Sequence, residues 1–159
     1  MDAPIADIAV GGGGRYLILH QPKRGTLAVF DVNEAKVVKL LPAGEDNVKF
    51  TAGLDKLVVA LPGSRTLQRL SLKSFVQELS VSYPDKMEVT ALSMGCASQG
   101  PVVVVGKDVV FPPPKLFLFT LDNPAFPGDN QIFASHEPPA PEGPHDSLPA
   151  PRWHCRRSR

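Results

Sequence analysis

The sequence predicts an all-β chain built from repeats, and three observations predict it. Short apolar runs follow one another with turn residues between them. The prolines of the first two thirds fall about twenty residues apart, as turn punctuation does. The chain also resembles itself when displaced by about 40 residues.

The runs cover residues 5–10, 16–20, 26–32, 36–41, 48–51, 56–61, 66–72, 75–81, 87–94, 102–105 and 116–121. Most are rich in Val, Leu, Ile or Phe and are bounded by Gly, Pro, Asn, Asp or Ser. "AVGGGG" ends the first run in a tight turn before "RYLILH". "QPKRG" then separates that strand from "TLAVFDV", and "NEA" separates the third from the fourth. No window carries a capped apolar stripe at helical spacing over three turns. Strands are expected throughout.

The displacement is specific. "LAVFDVNEAKVVKLL", from Leu27, aligns with "LQRLSLKSFVQELSV", from Leu67. "RYLILH" from Arg15 answers "DKLVVA" from Asp55, and "ADIAVGGGG" aligns with "DNVKFTAGL" and "MEVTALSMG". A third copy continues with "PVVVVG" and, after an insertion, "KLFLFTLDN". Four short strands in about 40 residues make a propeller blade. One such sheet cannot cover its own faces, so copies must stack, and inner strands should be apolar on both sides. "YLILH", "LVVAL" and "VVVV" read that way. The expected architecture is an incomplete β-propeller of about three four-stranded antiparallel blades at residues 4–44, 45–85 and 86–122. Residues 123–159 hold eight of the 17 prolines, lose the periodicity and are expected to be a disordered tail.

Copy one, "GGGGRYLILHQPKRGTLAVFDVNEAKVVKLL", resembles a WD-repeat unit of the divergent, bacterial WD-like kind. Gly14, Arg15, Tyr16 and Leu17 match its first half, and Gly25, Thr26, Phe30 and Asp31 its second. Phe30 stands where the family has Trp, copy two has Leu70-Ser71 there, and copy three has Phe119-Thr120. No Gly-His pair opens any copy, so the family's buried polar network is not carried over. The resemblance implies a scaffold that presents loops to a partner, with Gly14, Gly25, Phe30 and Asp31 as structural repeat positions.

Seventeen basic and sixteen acidic side chains leave a net charge of +1, with no long-range field for nucleic acid or an anionic membrane. No apolar stretch has the length of a signal-peptide core or a spanning helix, so the default compartment is cytoplasmic. Cys96 and Cys155 are far apart in differently composed regions.

Candidate chemistry is sparse. Residues 11–14 are all glycine, but a dinucleotide site needs a further Gly at the right spacing and a helix, whereas Tyr16 opens a strand. A turn is expected instead. His20, His136, His145 and His154 lack metal-ligand spacing, and no Ser sits in a Gly-x-Ser-x-Gly frame. Asp7, Asp46, Asp55 and Asp108 read as turn or loop charges, and Asp31 as an acceptor for a neighbouring turn. No catalytic residue, cofactor or metal is assigned.

The function expected is a non-catalytic interaction scaffold for a protein partner, using Gln21, Lys23, Arg24, Ser64 and Arg65 in the loops at residues 21–25 and 62–65. Three blades do not close a ring, so either the chain is part of a larger propeller or copies associate to complete one. Two alternatives stand beside this reading. One is a truncated or frame-shifted remnant, which would not fold alone. The other is a piece of a propeller hydrolase, which would need polar side chains at the inner ends of the first strands. In the tail, Pro138, Pro139 and Pro141 could serve a polyproline-binding module, and the arginines at 152, 156, 157 and 159 could bind anions weakly.

Overall fold

The computed structural model describes residues 3–83, 87–108, 115–119 and 132–133. Twelve strands are seen among them: β1 (Asp7–Gly11), β2 (Tyr16–Gln21), β3 (Thr26–Asp31), β4 (Lys36–Pro42), β5 (Lys49–Ala52), β6 (Lys56–Leu61), β7 (Thr66–Ser71), β8 (Gln77–Ser82), β9 (Met87–Ser93), β10 (Val102–Asp108), β11 (Lys115–Phe119) and β12 (Ile132–Phe133). They form three four-stranded antiparallel sheets in simple up-and-down order, β1 to β4, β5 to β8 and β9 to β12. The first strands β1, β5 and β9 lie beside one another, so the sheets radiate from a common inner edge. This is blade architecture.

Alternation along the strands decides how the sheets stack. In the first sheet, Ile18 lies opposite both Ala9 and Val29 and shares their face. That face, with Leu27 and Leu41, meets Phe50, Ala52, Leu57 and Val59 of the second sheet in one buried cluster. Val58, Ala60 and Leu67, on the other side of the second sheet, meet Met87, Val89, Val102 and Val104 of the third. The middle sheet is therefore covered twice. This explains the unbroken apolar run in β6, where Leu57, Val58 and Ala60 are fully buried and Val59 nearly so.

The 40-residue displacement is retained down to single backbone bonds. Val32 donates its N–H to the Arg15 carbonyl and Leu72 to that of Asp55, each at 2.8 Å. Ala43 to Gly25 and Tyr83 to Arg65 repeat in the same way. The bulge between Val29 and Phe30 recurs between Arg69 and Leu70. Gly25 and Arg65 both take left-handed backbone angles, as do Ala35 and Phe75.

Two boundaries differ from the sequence reading. Residues 75 and 76 are not in β8, because Phe75 has φ 56° and turns its ring edge-on to Tyr16, 5.8 Å between centroids. The third sheet takes its fourth strand from Ile132–Phe133, beyond the residue-122 limit read for the third repeat. A two-residue strand carries no alternation from which sequence could find it. The rest of the stretch read as a disordered tail, with Cys155 and three of the histidines, lies outside the described residues.

Leu57→Ala should cost about 2–5 kcal/mol, because its cavity opens between two sheets that cannot collapse independently. Val76→Ala, at an exposed position just before β8, should change stability by less than about 0.5 kcal/mol. Urea denaturation of the two variants beside the parent checks the contrast.

Candidate interaction surfaces

The strand turns emerge at two ends of the stack. At one end the β1–β2, β5–β6 and β9–β10 turns converge. Gly12 donates to the Gly53 carbonyl at 2.8 Å, Gly13 to that of Cys96 at 2.9 Å, and Leu54 to that of Ser98 at 2.8 Å. One turn thus ties to both other blades. The glycine run follows from this. A Cβ on Gly11 would lie 2.6 Å from Ala52 Cβ, and Gly12, Gly13 and Gly14 have φ of 64°, 66° and 98°. The amides of Gly12 and Gly13 are already engaged by carbonyls, which leaves neither for a phosphate.

Asp31 ends β3 at the same end. Its carboxylate is 1% exposed and accepts from Arg15 Nε at 2.9 Å, with Nη2 at 2.8 Å. The other oxygen accepts the Asn33 and Glu34 amides at 2.9 and 3.3 Å, which fixes the β3–β4 turn. Arg15 also lies over the Tyr16 ring, 5.1 Å from its centroid. The Arg15 bond chiefly, with the two amides, holds the Asp31 carboxyl below its ordinary range despite burial. In the second blade Ser71 takes the same place, its hydroxyl accepting the Lys73 and Ser74 amides. A shared backbone need is met by two different side chains. Phe30, beside Asp31, is half-buried on the opposite face of the sheet.

The other end carries the residues read as a partner surface. Lys23 and Arg24 are exposed in the β2–β3 turn, and Ser64 and Arg65 in the equivalent β6–β7 turn. Pro22 and Pro62 open these turns, and the Gly25 amide closes the first onto the Pro22 carbonyl at 2.8 Å. Gln21 is different: it ends β2 and is 1% exposed, so it is withdrawn from this surface. Glu45, which the sequence reading passed over, clamps the second turn, accepting the Gly63 amide at 2.6 Å and the Ser64 amide at 2.9 Å. Its partners are 18 and 19 residues away, so no local motif could have exposed it.

Two further polar groups stand out, one at the contact of two blades and one on the second sheet alone. His20 is buried edge-on to Phe50, and burial, outweighing the pull of Asp7 and Asp46, holds its imidazole below the usual histidine range. Glu78 accepts both its bonds from Lys56 Nζ at 2.9 Å and pairs with Arg69 Nε at 3.1 Å. These pairings, Lys56 first, lower its carboxyl. Among the described residues no three His, Cys, Asp or Glu side chains converge to hold a metal. None of the described helical turns is long or apolar enough to cross a membrane.

Comparison with solved structures matches this arrangement. The Cps50 (Swd1) β-propeller domain of Myceliophteria thermophila superposes with a TM-score of 0.52 at 12% identity over 74% of this chain, and U3-55K does so with 0.52 at 12% identity over 73%. The chain folds as β-propeller blades. The hydrazine synthase of Kuenenia stuttgartiensis gives 0.52 at 14% identity, so the blades are shared with an enzyme as well. The chain spans 32% of the hydrazine synthase chain, 40% of Cps50 and 37% of U3-55K. No family model matches the propeller sequence, and no curated protein matches it.

Acid should expose the weight of Asp31. A carboxyl whose folded pKa is depressed adds stability above its unfolded value, about 3.9, and loses it as pH falls through the folded one. Asp31→Asn should therefore lower the urea midpoint near neutral pH and flatten its decline between about pH 5 and pH 2. A parallel shift at all pH values would mean that the carboxylate charge contributes nothing.

Proposed function

We propose that these blades act as a non-catalytic, WD-repeat-like scaffold that binds a protein partner on the end carrying the β2–β3 and β6–β7 turns. The observation that carries the reading is the pair of equivalent turns at 40-residue spacing, with exposed Lys23, Arg24, Ser64 and Arg65. Both are pinned: one by its own closing bond and the β4 connection, the other by Glu45. Loops fixed before binding lose little conformational entropy on association, which is what a recognition surface needs. Arg15 with Asp31 in copy one supports the WD-like assignment, since the pair occupies the repeat's Arg and Asp positions.

The reading is tested by affinity capture from native lysate with the parent chain, a Lys23→Glu/Arg24→Glu variant and a Lys39→Glu control from β4. A saturable partner held by parent and control and lost by the double variant is the expected result. A partner held equally by all three, or none retained by the parent, would overturn it.

A further inference from the structure

The first sheet has two apolar faces, and among the described strands only one of them has a sheet against it. The other carries Ile8 and Leu40, 55% and 54% exposed, with Val10 at 42% and Val37 at 38%. Leu17 and Phe30 share this face by register and are half-buried. Completing it by alternation are Leu19, Gln21, Thr26, Ala28 and Pro42, so no charged side chain falls on it. Leu19, Gln21 and Ala28 are buried within the chain, and the exposed large hydrophobics of the face are the patch of Ile8, Val10, Val37 and Leu40. A solvent-facing sheet surface is normally polar at alternate positions, and this one is not.

The repeat says what such a face is shaped to receive. Val10, Leu17, Leu19 and Phe30 stand 40 positions before Phe50, Leu57, Val59 and Leu70. In the second sheet those four pack on the first. The first sheet therefore carries the receiving half of a blade interface. The matching half lies on the outer face of the third sheet. There Val105 pairs with Ala91 and Leu116, as Ile18 pairs with Ala9 and Val29 on the first sheet's docking face. Val103 shares that outer face, and Leu116 is 42% exposed.

We propose that a second copy of this chain covers both faces, the third sheet of each copy docking on the first sheet of the other to close a ring of six blades. The contact continues the two blade interfaces already present, with the same residues of the repeat on each side. Six lies within the usual range of about four to eight blades, and a head-to-tail contact made twice closes with twofold symmetry and leaves neither face bare.

The test is the mass of the full chain by light scattering during size exclusion, with its far-ultraviolet circular dichroism. A β-rich dimer is expected. Ile8→Glu/Leu40→Glu spoils one face and Leu116→Glu the other, so each variant alone should lose the dimer. Mixed together they retain one sound interface and should regain it, which also proves both are folded. A parent that stays monomeric, an open-ended series of larger species, or a mixture that fails to regain the dimer would overturn the proposal.

Discussion

Everything in this molecule rests on the stacking of apolar sheet faces. A four-stranded antiparallel sheet of about 35 residues buries too little surface alone to offset the entropy of ordering it. Its neighbours must supply the rest. The middle sheet meets that condition on both sides, through Ile18, Leu27 and Val29 of one neighbour and Met87, Val102 and Val104 of the other. The outer sheets meet it on one side among the described strands. The fold is thus least compromised at its centre, and unsatisfied surface accumulates at its two ends.

Stacking sets the faces, while the turns set the angles between them. The inner edges of the blades must come close, and the glycine turn lets them: Gly11 leaves room for Ala52, and Gly12 and Gly13 spend their amides on the other two blades. At the outer strands the spacing is wider and polar groups enter, as the Lys56, Glu78 and Arg69 group does on the second sheet. Asp31 and Ser71 show how loosely sequence is tied to such a frame. Both hold the same turn, one with a buried carboxylate that needs Arg15, the other with a hydroxyl that needs no countercharge.

Strand positions and the blade repeat were legible because they are local or periodic. The β6 run and the offset between Leu27 and Leu67 each leave a mark within a short window. What the sequence hid was non-local or backbone-borne. Glu45 finds its amides across a turn far along the chain, and β12 is too short to alternate. Phe75 looks like strand by composition, yet it occupies a left-handed turn position that its packing on Tyr16 favours. At the candidate surface, Lys23, Arg24, Ser64 and Arg65 were readable as turn residues, whereas Gln21 beside them was not readable as buried.

A rim of pinned turns and a pair of partly exposed apolar faces answer different needs, recognition in one case and assembly in the other. Both depend on the blades behaving as one cooperative stack organised around the middle sheet. Amide hydrogen exchange under native conditions tests that most directly. The account predicts that the β6 and β7 amides exchange slowest, by global unfolding, and that protection falls off toward β4 and β8. Amides of the first sheet that outlast those of β6 would contradict it, since the centre of stability would then lie away from the sheet covered on both faces.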